Sequence, residues 1–177
     1  MFTNGRILLL WSFFSPLITF SQETDTSERH HHRLSMMMAS VHVPAANNVK
    51  NQSEFYIVPT WGINYDYWFT SRCAIGLHND IELQEFEINV DEDVIERSYP
   101  VASCLVGLFK PSARWTLILG AGREFEQHKS FHVITAGTEY GIEIRNNWEV
   151  NFNFVYDHKI DAYDSWLFGI GFSKMFK

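Results

Sequence analysis

The chain has 177 residues, enough for one domain with an enclosed core. It is 46% hydrophobic and 16% aromatic, yet its mean hydropathy is −0.16, so the apolar residues are interrupted by polar ones. No run reaches the about 18 apolar residues of a spanning helix, and a net charge of −7 without a basic stripe excludes nucleic acid as a partner.

The one dense apolar run, Ile7 to Phe20, follows Arg6, contains Pro16 and ends in Thr19-Phe20-Ser21. A basic start, an apolar stretch and small residues at −3 and −1 predict a secretory signal peptide over 1–21, cleaved near Ser21. Loss of Arg6 takes the mature chain to −8. Residues 22–31 read as a flexible polar lead, and 32–177 as a single β-barrel. The adjacent His30, His31 and His32 point in different directions on an extended chain and predict an interfacial segment, not a metal site.

The first strand is expected over Arg33 to Pro44. Its Met36-Met37-Met38 triplet hides the alternation, so its faces stay unassigned. Phe55 to Phe69 is the clearest strand. Its odd positions (Phe55, Ile57, Pro59, Trp61, Ile63, Tyr65, Tyr67, Phe69) are apolar, and its even ones mixed and largely polar, as two faces of one strand require. Fifteen residues is far beyond the usual strand of about 5–6. After a turn at Thr70-Ser71, a third strand over Arg72 to Glu85 sets Cys73, Ile75, Leu77, Ile81 and Leu83 against His78, Asp80 and Glu82.

An acidic loop through Asp91 to Glu96 follows. The fourth strand, Arg97 to Lys110, is read with Ala102, Cys104, Val106 and Leu108 on the apolar face. Turns at 110–112 and 146–147 and a loop at 127–129 then frame strands over Ala113 to Glu126, Phe131 to Arg145 and from Trp148. The last strand runs Tyr163 to Phe176. Eight strands result, with the tight turns all at one end and the looser loops at the other, which predicts an all-β, eight-stranded antiparallel up-and-down transmembrane barrel.

Nine glycines follow the leader, from Gly62 to Gly171, and all fall on the face opposite the apolar one in this plan. A narrow bore needs small residues, whereas the washed outside of a soluble lipocalin-like barrel does not. The aromatic face is therefore expected to meet lipid. Tyr65, Tyr67, Trp115, Trp148 and Phe176 gather near the turn end and Phe55, Phe125, Tyr156 and Trp166 near the loop end, as two girdles. Arg123 and Lys174 lie outward, near enough to the ends to snorkel. Cys73 and Cys104 are placed facing lipid on adjacent strands, too far out of register for a disulfide.

Inside, Arg72, Arg114, Arg145, Asp66, Glu143 and Glu149 are expected toward the turn end. The polar network is expected to centre on His78, Asp80, Glu82, Arg97, Glu124 and Glu139, paired because buried charges must be. His78, Asp80 and Glu82 span about 13 Å along one strand, too far for one metal, so neither a metal nor a cofactor is expected. Eight strands are also too few for a water-filled pore.

These features, with the ending Gly169-Ile170-Gly171-Phe172-Ser173-Lys174-Met175-Phe176-Lys177, resemble the small eight-stranded outer-membrane proteins of the OmpX and OmpA transmembrane type over roughly residues 32–177. The resemblance implies a monomer in the outer membrane of a Gram-negative bacterium, in contact with its lipid. It also implies a C-terminal aromatic residue, here Phe176, read by the barrel-assembly machinery, although Lys177 follows it. The expected role is structural or surface-interacting. Two alternatives are a narrow conduit and a lipid A-modifying hydrolase; the latter would use Ser130, His132 and His158, in an order reversed from the His-x-Ser of the lipid A deacylases.

Overall fold

The computed structural model describes residues 31–44, 55–90, 93–127 and 129–177; the leader expected over 1–21 lies outside them. Ten strands form: β1 (His32–Pro44), β2 (Phe55–Trp68), β3 (Cys73–Glu82), β4 (Glu85–Val90), β5 (Asp93–Ser98), β6 (Val101–Phe109), β7 (Trp115–Phe125), β8 (Phe131–Glu143), β9 (Trp148–Lys159) and β10 (Asp164–Phe176). Eight close into an antiparallel barrel in the order β1-β10-β9-β8-β7-β6-β3-β2, while β4 and β5 pair only with each other. The fold class is the one the alternation predicts.

Register sets the width of the bore. Followed strand to strand from Tyr67 through Ile75 and Gly107 and on around, it returns to β2 at Ile57, ten residues from its start. Eight strands with a shear of ten tilt by about 40° and enclose a backbone cylinder of about 8 Å radius, room for side chains and little else. Asn146 and Asn147 sit at φ 58° and 62°, the left-handed pair that a type I′ hairpin between β8 and β9 requires.

The greasy face points outward. Leu119 is 65% exposed and Ile57 62%, whereas Arg33 and Asp66 are 1% and 0% exposed. β1, whose faces the methionines concealed, turns Arg33, Ser35, Met37, Val41 and Val43 inward and Leu34, Met36 and Met38 outward. His32 lies 2.6 Å from the Tyr65 hydroxyl and stacks on Phe176, in the turn-end girdle.

One strand reverses the expectation. Arg97 to Lys110 is not continuous: β5 ends at Ser98, Tyr99 takes φ 48°, and Pro100 withholds a donor before β6 begins. In β6 it is Cys104, Val106 and Leu108 that face the bore, packed with Trp68, Ala74, Ile118 and Val133. Val101, Leu105 and Phe109 face outward. Both faces are apolar, so alternation alone could not set the phase. Two corrections follow. Gly107 looks outward, unlike the other eight glycines, and Cys104 is buried in the bore instead of facing lipid. Both thiols are free, with Cys73 standing opposite Phe109 and Cys104 opposite His78.

The two kinds of glycine give a test. A Cβ on Gly122 would fall 2.0 Å from the Ser103 carbonyl oxygen and 2.5 Å from the Cys104 Cα, and backbone has no room to move. A Cβ on Gly107 meets nothing closer than 3.8 Å. Gly122→Ala should therefore destabilise the barrel by about 1–3 kcal/mol, while Gly107→Ala stays within about 0.5 kcal/mol, read as urea midpoints of the unboiled-gel shift. Equal losses would refute the assigned phase of β6.

Candidate functional site: the filled bore

Two charged clusters occupy the bore, one toward each end. At the turn end Arg33 reaches from β1 to three other strands. Its Nε donates to Asp66 Oδ2 at 2.8 Å, and its Nη1 to Glu139 Oε1 at 2.5 Å and Glu149 Oε1 at 3.3 Å. His78 Nε2 lies 3.0 Å from the other Asp66 oxygen, and Ser173 donates to Glu149 at 3.4 Å. Arg33 also lies 5.7 Å from the centre of the Trp68 ring. One cation so placed holds β1, β2, β8 and β9 together from within.

The glycines explain how so narrow a bore admits these groups. A Cβ on Gly76 would sit 2.1 Å from Asp66 Oδ1, one on Gly62 2.5 Å from Asp80 Oδ1, and one on Gly171 2.4 Å from Asn151 Oδ1. In each case the polar residue stands directly across the register from its glycine. Each glycine leaves out the volume that its neighbour's carboxylate or amide fills.

At mid-height a cavity of about 20 Å³, lined by Met37, His78, Asp80, Cys104, Asn153 and Asp157 among others, has space for about one water. Asp80 and Glu82 each keep one buried carboxylate oxygen without a hydrogen-bond partner among the described residues.

The loop-end cluster centres on Glu124 of β7. Arg97 Nη2 and the Tyr163 hydroxyl both donate to it, the latter at 2.9 Å from Oε2, and Lys159 Nζ lies 3.6 Å away. Arg97 also pairs with Glu126 at 3.3 Å, donates to the Lys129 carbonyl, and lies over the Phe131 ring at 4.8 Å. Lys159 donates to Ser165. Burial, then Glu82 and Glu124, push the Tyr163 phenol well above its ordinary value. It stays a neutral donor.

Arg97 comes not from the barrel wall but from the β4–β5 hairpin, which folds over the loop-end mouth. Phe86 and Ile88 of β4 are buried with Val41, Val43, Val58, Phe131, Tyr163 and Leu167. Phe86 meets Tyr163 edge-on at 6.3 Å. Residues 93–96 of the expected acidic loop thus belong to a strand pair with its apolar face on the mouth and Glu85, Glu87 and Glu96 outward; Asp91 and Glu92 lie outside the described residues.

The six residues singled out in the sequence divide between these levels: His78 and Glu139 join the lower cluster, Asp80 the middle, and Glu82, Arg97 and Glu124 the upper. Sequence reading missed Arg33, Lys159 and Tyr163. Arg72, Arg114 and Arg145, expected inside, are exposed in the turns, and Arg33 takes their place. At the turn end Lys110 lies 4.6 Å over the Trp68 ring, and its amine is held below the ordinary value, chiefly by burial and then by Arg33. No group of three or more His, Cys, Asp or Glu among the described residues is arranged to hold a metal. His158 lies 2.7 Å from Asp164 and stands opposite Ile134, not Ser130 or His132.

This architecture is that of the small outer-membrane barrels. The crystal structure of Ail, the attachment invasion locus protein of Yersinia pestis, in complex with the heparin analogue sucrose octasulfate, matches with a TM-score of 0.52 and 18% identity, over 82% of this chain and 99% of that one. Neisserial surface protein A matches with a TM-score of 0.56 and 8% identity, over 82% and 97%. At such identities the likeness is one of fold alone. No protein-family model matches the chain, and no curated protein does.

Proposed function

We propose that the chain is a monomeric outer-membrane barrel of a Gram-negative bacterium with a closed, salt-bridged lumen, exported by its leader and acting through its surface as a structural or interacting protein. The observation that carries this reading is Arg97: it hangs from a hairpin outside the barrel, yet its side chain is 0% exposed and paired with Glu124 and Glu126 on β7 and just beyond it. Opening the mouth would strand buried charge on both sides, so closure is the stable state. Phe176, exposed at the end of β10, supports the reading that the assembly machinery recognises this terminal strand.

The outward face of the hairpin is acidic, with Glu87 directly opposite Glu96. Like charges so paired repel. This surface favours cationic or cation-bridged partners, whereas sucrose octasulfate, the ligand seen with Ail, is an anion. Against the hydrolase stands the separation of His158 from Ser130 in register, and against the conduit the two ion-pair clusters that share the bore. Purified protein reconstituted in a planar bilayer should give no single-channel steps, and cells expressing it should show an unchanged lipid A mass spectrum. Discrete currents in the bilayer would overturn lumen closure.

A further inference from the structure

On β3, β6, β7 and β8 the outer wall carries a slanting line of polar groups. Asn79 of β3 stands across from Ser103 of β6, Ser103 from Arg123 of β7, and Arg123 from His132 of β8. All four point outward, so polar groups on four adjacent strands meet in a single row. Ser103 Oγ donates to Asn79 Oδ1 at 2.8 Å, and Asn79 Nδ2 donates to the Ile63 carbonyl at 3.2 Å. Arg123 lies 5.7 Å from the Phe125 ring, which flanks it on the loop side. No outward position of these four strands carries a carboxylate.

Because strands tilt, a register row climbs the barrel. With the tilt set by the shear, each step rises about 3 Å, so His132 lies about 9 Å nearer the loop end than Asn79. The row therefore begins at the rim with the cationic and ionisable groups and descends toward mid-height with neutral hydroxyl and amide. An anionic lipid has the same order: phosphate outermost, then ester or hydroxyl oxygens, then chains. A snorkelling arginine alone would need no polar neighbours below it.

We infer that Asn79, Ser103, Arg123 and His132 form an exterior binding site for an anionic, phosphate-bearing lipid. Arg123 and His132 hold the phosphate, and the Ser103–Asn79 pair serves the linkage oxygens beneath. The site rests on the reading that the outer wall faces a bilayer. Arg123 is its only fixed charge, and its guanidinium gives a phosphate two parallel donors.

The test is native mass spectrometry of the folded barrel released from micelles holding equal phosphatidic acid and phosphatidylcholine. Wild type should retain phosphatidic acid preferentially. Arg123→Gln should lower that preference about tenfold, as loss of a charge-assisted contact predicts. Arg123→Lys should restore part of it, and Ser103→Ala should lower it about threefold with the charge intact. Folding of each variant is checked by unboiled-gel mobility. Insertion into liposomes with equal lipid preference in wild type and Arg123→Gln defeats the site alone. Failure of the wild type to insert defeats the membrane reading and the site with it. A dimer that Ser103→Ala abolishes would also overturn it, by making a second copy the occupant.

Discussion

Arg33→Met is expected to cost the folded barrel about 3–5 kcal/mol, the loss typical when a buried ion pair loses one partner. The side chain is almost volume-matched, so the effect isolates charge. Without the guanidinium, Asp66, Glu139 and Glu149 remain as three buried carboxylates, with His78, 3.0 Å from Asp66, and Lys110, over the Trp68 ring, as the neighbouring basic groups. Each must then be desolvated unpaired or take up a proton, and either is costly. Lysine at this position should recover only part of the loss, since a single ammonium cannot serve carboxylates on β2, β8 and β9 with the geometry of a planar fork. The decisive variant is Arg33→Met combined with Glu139→Gln and Glu149→Gln. If the loss is uncompensated charge, the triple variant should be more stable than Arg33→Met alone, a coupling that additive packing effects do not produce. Urea midpoints in micelles, read from the mobility of unboiled samples, measure all four proteins. A drop below about 1 kcal/mol for Arg33→Met would mean that the cluster is wet and the bore more open than its burial indicates.

The chain announces its barrel because a greasy exterior on one side and a tight bore on the other impose a strict two-residue rhythm. That rhythm places seven strands in the correct phase or, for β1, leaves the phase open. It breaks down at β6, where Cys104, Val106 and Leu108 are inside and Val101, Leu105 and Phe109 outside. There the bore itself is apolar, and a strand greasy on both faces carries no phase. Arg33 escaped for a related reason: three methionines in a row made β1 unreadable, and the cation that organises the turn-end cluster sits beside them. The signal that could have found it is the glycine pattern. Gly76 and Gly62 stand opposite Asp66 and Asp80, marking where carboxylates press inward and a cation is needed. The hairpin was hidden by its charge. The acidic run from Asp91 to Glu96 read as a loop, yet Phe86 and Ile88 before it and Ile95 within it form the buried face of a strand pair.

The lid is where a single substitution should act locally. Arg97→Gln removes the ion pairs with Glu124 and Glu126 but leaves Glu124 its contacts with Lys159 and Tyr163, so the barrel wall keeps most of its compensation. The hairpin does not. It pairs with no barrel strand, and besides Arg97 it is anchored by Phe86 and Ile88. Loss of about 3 kcal/mol would then be felt as a shift in the local opening of residues 85–98, with global unfolding little changed. Cleavage by a protease follows the population of the open form when opening is fast, so the rate of nicking within the hairpin should rise about a hundredfold. Phe86→Ala should do the same through lost burial, leaving the charges intact. Adding Glu124→Gln to Arg97→Gln should cost less than the sum of the two single changes, because a neutral glutamine no longer needs the partner that has gone. If Arg97→Gln leaves the hairpin as resistant as wild type, apolar packing alone holds the mouth shut, and the charged latch has no part in closing it.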